Sequence, residues 1–165
     1  MNLSPRCGRG ERSLDRMRTD EVVDFDIADN QGNLFAYAAS HGYDMRSFIT
    51  NFMCSEVTAQ SLDAEYSYLQ LQPPHILLDY LPDVAASKKT GEASDADQAW
   101  WIGYAYRFLC RKKSLRSKDV VKYLTPNIMA GVYPGYHTFT NEQYLLERLY
   151  SDYADKKANT ASSQV

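Results

Sequence analysis

The segment AWWIGYAYRFLCRKK, Ala99–Lys113, sets two tryptophans, two tyrosines and a phenylalanine around one arginine, Arg107. At helical spacing Trp100, Tyr104 and Phe108 form one face, and Trp101, Ala105 and Leu109 the next. Ile102, Tyr106 and Cys110 close most of the remainder. A helix apolar nearly all round has to be surrounded by other elements, so the pattern predicts a central buried helix over about 95–113. Gly103 costs such a helix about 1 kcal/mol relative to alanine. Its simplest use there is to let a neighbouring helix approach closely. Arg107 needs an acceptor, because burying an unpaired guanidinium is expensive. Asp63, Glu65 and Asp79 are the candidate acids. Ser94 reads as the cap, with Asp95 and Asp97 in the first turn and Arg111, Lys112 and Lys113 in the last, each where the helix dipole favours its charge.

Weaker helical signals lie on either side. Asp20–Asn30 interleaves acids with Val22, Val23, Phe25 and Ile27, and fits a short strand or a loose helix. From Asn33, the spacing of Leu34, Tyr37, Ala38 and His41 predicts a helix stopped at Gly42. Asp44 can cap the next, with Phe48, Ile49, Phe52 and Met53 as its stripe. A segment after Asp63 carries Tyr66, Leu69 and Gln70, and Pro73-Pro74 ends it and opens a helix that Pro82 closes. Residues 83–94 read as a polar loop. A short helix through Val120, Val121 and Leu124 follows, then a turn begun by Thr125-Pro126, and GVYPGYHTF reads as irregular. Thr140 and Gln143 match a capping box for the last helix. The expected fold is mainly α: a single compact helical domain of about six helices over 20–156, between a disordered basic arm (1–19) and a disordered tail (157–165).

A chain of 165 residues fits one domain, and its net charge of −3 gives no bulk attraction for nucleic acid or anionic membranes. Cys7, Cys54 and Cys110 form no metal-binding or disulfide pattern, and the last two read as buried thiols. The expectation is a cytoplasmic protein with no cofactor, no metal and no membrane span. Tyr is abundant, at 13 residues, which suits recognition as well as a core boundary.

Three features carry candidate chemistry. Arg107 and Tyr104 on the aromatic helix, with Tyr136 and His137 in YPGYHT, are the catalytic candidates if the fold unites them in one cleft. A structural Arg–carboxylate pair is the more ordinary role for Arg107. The basic run Arg111, Lys112, Lys113, Arg116, Lys118 and Lys122 could hold phosphates or an acidic partner. Its surroundings faintly resemble a helix-turn-helix, but the presumed reading helix offers few base-contacting side chains beyond Asn127. No nucleophile elbow, phosphate loop or metal spacing is present.

FITNFMCSEVTAQSLD (48–63), WWIGYAYR (100–107), SKDVVKYL (117–124) and YPGYHTFTNEQ (133–143) occur in this order. Together they resemble a family of small, largely uncharacterised bacterial proteins with an FI..FM.S, WIGY.YR, SK..Y, Y..HT pattern. The resemblance covers about two-thirds of the chain. Members of that family are often found beside small toxin-like proteins. What the resemblance implies is a protein–protein interaction module, antitoxin-like towards a toxin encoded nearby, rather than an enzyme. It brings no catalytic residues with it. An enzyme or toxin using the Arg/Tyr/His candidates is the first alternative, and a DNA-binding regulator using residues 111–122 the second.

Overall fold

The computed structural model describes residues 9–163, with side chains from Asp20 onward. Mainly α architecture is confirmed: six helices have seven or more residues, and no strand occurs among the described residues. The long helices are α1 (Arg9–Ser40), α2 (Met45–Met53), α5 (Ala96–Lys113), α6 (Ser117–Tyr123), α7 (Pro126–Tyr136) and α8 (Glu142–Ser162). Between α2 and α5 lie a π-helical turn (Thr58–Leu62), a 3-10 turn (Tyr68–Leu71) and the short helices α3 (Pro74–Asp79) and α4 (Pro82–Ala85).

The spine is the pair α1–α5, whose mutual contact exceeds that of any other pair of elements. Gly32 lies under the Trp100 ring and Gly103 against the Gln31 carbonyl. Further along, Phe25 stacks on Phe108 at 5.8 Å, and Asp24 pairs with Arg111. Residue numbers thus rise on one helix as they fall on the other, so the two run antiparallel. Close approach at the two glycines is the use that Gly103 was expected to have. On α5, Trp100, Tyr104 and Phe108 do form one face. Their rings stack in series, with centroids 5.1 Å and 5.6 Å apart. The rest of the helix is buried from Trp101 to Phe108 and on through Cys110, apart from half-buried Tyr104. It is the central helix that its sequence predicts.

Several boundaries differ from the sequence reading. Asp20–Asn30 is neither strand nor loose helix but the middle of one continuous helix. Its buried stripe passes through Ile27, Ala28, Gln31, Leu34 and Phe35. Residues 9–19, expected in a disordered arm, belong to the same helix, and residues 1–8 of that arm, with Cys7, lie outside the described residues. At the other end α8 runs to Ser162 rather than stopping before the tail. Asp95, not Ser94, caps α5 by accepting from the Gln98 amide at 3.0 Å. Likewise Asn141, not Thr140, caps α8. Pro82 opens α4 as well as ending the segment before it. Cys54 is exposed, whereas Cys110 is buried as expected.

The most instructive difference is in GVYPGYHTF, most of which is helical because α7 carries Pro134 in its interior. Proline has no N–H to give the carbonyl four residues back, which is Ala130. That carbonyl accepts instead from the Gln98 side chain of α5, at 3.4 Å. Docking against α5 thus supplies the partner that the helix itself lacks.

Burial has a consequence at high pH. It holds the Tyr106 phenol well above its ordinary range and pushes the Cys110 thiol up to about 11. Tyr104 is raised by burial first and by Glu142 second. The unfolded chain releases phenolic protons near pH 10, while the folded chain keeps these. The folded state then binds more protons, so stability falls as pH rises. Melting temperature is expected to drop steadily from about pH 9 upward. A subset of tyrosines should gain tyrosinate absorbance only on unfolding.

Candidate functional site

Arg107 is 1% exposed. Its Nε donates to Gln31 Oε1 at 2.7 Å, one terminal nitrogen to Asp63 Oδ1 at 2.7 Å, and the other to Ser117 Oγ at 2.9 Å. Of the three candidate acids, the structure selects Asp63. The π-helical turn delivers it: the Asp63 amide donates to the Thr58 carbonyl at 2.8 Å and closes that turn. Asp63 is occupied twice more. Its Oδ2 accepts from the Ser117 amide at 2.9 Å, and its Oδ1 from the Ser117 hydroxyl. Ser117 is the first residue of α6, whose flanking Arg116 provides no side-chain cap. Asp63 therefore caps α6 from outside and places a negative charge at its N-terminus, where the dipole is positive. Gln31 completes the set by donating to the Gly103 carbonyl at 3.0 Å. Every member answers another within the cluster, which ties α1, the π turn, α5 and α6 together.

The other catalytic candidates lie elsewhere. Tyr104 donates to Glu142 at 3.2 Å. Tyr136 donates to Asp152 at 2.6 Å and accepts from Arg148 Nε at 3.0 Å. His137 ends α7, its ring stacked on Tyr133 and its Nδ1 against the Tyr133 carbonyl. A carbonyl only accepts, so Nδ1 carries the proton. His41 repeats this arrangement on Tyr37 at the end of α1. None of Arg107, Tyr104, Tyr136 and His137 hydrogen-bonds to another. Each serves a different carboxylate or carbonyl.

The basic run is largely answered within the chain. Arg111 and Lys112 share Asp24, Lys113 pairs with Glu147 at 3.1 Å, and Arg116 with Asp119 at 2.9 Å. Lys122 lies over the Tyr123 ring. Lys118 is exposed.

Besides an open cleft of about 540 Å³ beside Phe25, Phe108, Lys112 and Glu142, two further cavities adjoin these elements. One, of about 360 Å³, lies between Ile49, Ala99, Ile102 and Ala130. At its rim Asp44 accepts from Ser47, Asp95 caps α5 and Gln98 reaches Ala130, while Arg46 and Asn127 also line it. The second, of about 420 Å³, lies beside Asp63, Arg107, Arg111 and Arg116, all four of which are paired as described. Among the described residues no three His, Cys, Asp or Glu side chains gather as a metal site requires, and no helix is long and apolar enough to cross a membrane.

The surface between α2 and α3 is of another kind. Residues 64–72 form a strap along α1. Tyr66 donates to Asp20 at 3.1 Å, and Asn30 donates to the carbonyls of Gln70 and Gln72 at 2.9 and 2.8 Å. Gln70 is buried inside the strap. It accepts from the Ser67 amide at 2.8 Å and donates to the Ala64 carbonyl at 2.7 Å. A 3-10 turn puts residues three apart on the same side. Leu69 and Gln70 point inward, so Tyr68 and Leu71 point outward together, 72% and 55% exposed, with Tyr66 at 56%. The sequence singles out Tyr66, Leu69 and Gln70 in the segment after Asp63, and not Tyr68 and Leu71. The signal available was the Ser67–Gln70 capping spacing inside a segment too short for an α-helix.

No family model, no curated protein and no solved structure matches this chain.

Proposed function

We propose that the chain is a protein-interaction module whose recognition face is the strap 64–72. The observation that carries this reading is the outward pair Tyr68 and Leu71 on a segment held rigid from within by Gln70 and from α1 by Asn30. Large apolar side chains lose little conformational freedom on binding when their backbone is already fixed, and tyrosine anchors are typical of energetic centres at interfaces. Arg107, by contrast, is 1% exposed and already held by Gln31, Asp63 and Ser117. In keeping with the family resemblance, the partner is a small toxin-like protein encoded beside this one, and the module acts as its antitoxin-like counterpart in the cytoplasm.

Coexpression with the product of the neighbouring gene tests the reading. The wild-type chain should copurify with that product and relieve its toxicity. A Tyr68→Ser/Leu71→Ser variant should do neither, while its unfolding free energy stays within about 0.5 kcal/mol, as expected for exposed positions. Equal copurification of variant and wild type would remove the strap from the interface. No complex and no relief with the wild type would count against the module itself.

A further inference from the structure

The strap is bordered by a surplus of acids, with Arg111 as the cation that touches it. Along α1 the acids Asp20, Glu21, Asp24, Asp26 and Asp29 follow one another with no basic residue before Asn30. Asp24 is taken up by Arg111 and Lys112. Asp26 and Asp29 are exposed, and neither pairs with a cation among the described residues. Asp26 stands one helical turn before Asn30, the residue that holds the strap, so it shares the face of α1 along which the strap runs. At the near end Glu65 is exposed beside Tyr66. Arg111 meets the backbone carbonyl of Glu65, at 3.0 Å, and leaves its carboxylate to solvent.

Apolar anchors and unanswered carboxylates thus occupy one face. Resting on the interaction reading above, we propose that this face receives a basic amphipathic helix of the partner. Its apolar stripe would cover Tyr68 and Leu71, with lysines or arginines towards Asp26 and Glu65. The spacing fits: three residues of 3-10 helix advance about 6 Å, close to the distance between side chains one turn apart on an α-helix, about 5–6 Å. The apolar contact supplies most of the affinity, while the carboxylates select the sign of the partner and speed its encounter.

Synthetic helices about 18 residues long with one leucine stripe test this, their polar positions filled by lysine in one and by glutamate in the other. Binding to the full chain is read by fluorescence anisotropy. The lysine helix should bind at least about tenfold more tightly than the glutamate helix. Asp26→Lys/Glu65→Lys should abolish that preference. A control with the same net charge, Glu92→Lys/Asp155→Lys, reverses exposed residues outside this face and should keep the preference. Tyr68→Ser/Leu71→Ser should weaken the lysine helix by about tenfold or more. Equal binding of both helices, or equal effects of the two charge-reversal pairs, would overturn the proposal. So would a shift of the chain from dimer to monomer on Tyr68→Ser/Leu71→Ser, since the face would then belong to a second copy. The two readings fail separately. A copurified partner that is lost with Tyr68→Ser/Leu71→Ser but has no basic helix leaves the interaction module standing and sinks this inference. A charge-selective face with no copurifying partner does the reverse.

Discussion

Asp63→Ala is expected to destabilise the fold by about 3–5 kcal/mol, the range for removing one partner of a buried ion pair. The reason is specific to this carboxylate. Among the described residues it is the only acid bonded to Arg107, which is 1% exposed. It also caps α6 through the Ser117 amide. Chemical denaturation monitored by circular dichroism reads the loss directly. The double variant Asp63→Leu/Arg107→Met should lose less than the sum of the two single variants, by a coupling of about 1–3 kcal/mol, because the stranded charge disappears with its partner. Recovery will be incomplete: Gln31 and Ser117 each lose the bond to the guanidinium. Additive losses would mean that Arg107 and Asp63 do not depend on each other.

Gly103→Ala should cost about 1–3 kcal/mol, the usual penalty for overpacking a well-filled contact. In an isolated helix the same change stabilises by about 1 kcal/mol, so the sign of the effect decides between propensity and packing. A Cβ at residue 103 would lie 2.7 Å from the Gln31 carbonyl oxygen and 3.0 Å from the Gly32 Cα. Both are backbone atoms of α1 and cannot swing aside as a flexible side chain would. The two helices would have to separate along the spine, loosening the Trp100 ring over Gly32 and the Gln31 bond to the Gly103 carbonyl. A thermal melt of this variant above that of the wild type would show that α1 and α5 do not meet as described.

How much of this was legible depended on whether the deciding neighbour was near in sequence. The face Trp100–Tyr104–Phe108 follows from helical spacing alone, as does the need of Arg107 for an acid. Gly103 announced a close approach because no local reason for a glycine existed there. Which acid answers Arg107 was not legible, since a π turn 44 residues earlier makes the choice. The continuity of α1 was hidden because the acid-rich stretch Asp20–Asn30 lacks the clear helical spacing that begins at Asn33. In the fold Asn30 ties down the strap, Gln31 bonds Arg107, and Gly32 lies under Trp100. Pro134 misled because the group that satisfies the freed Ala130 carbonyl is Gln98, on another helix. At the candidate site, the four catalytic residues were chosen for their chemistry, and the fold gives each its own partner. Tyr68 and Leu71 were overlooked because a period of three over four residues looks like a fragment of helix.

The central claim is a division of labour, with Arg107 and its cluster as scaffold and the strap 64–72 as the recognition face. One experiment compares two variants in copurification with the neighbouring gene product: Asp63→Leu/Arg107→Met, which empties the buried cluster, and Tyr68→Ser/Leu71→Ser, which strips the strap. At a temperature where both are folded, the first should retain the partner and the second should lose it. Loss of the partner in the folded first variant, with retention in the second, would place function at Arg107 and contradict the account.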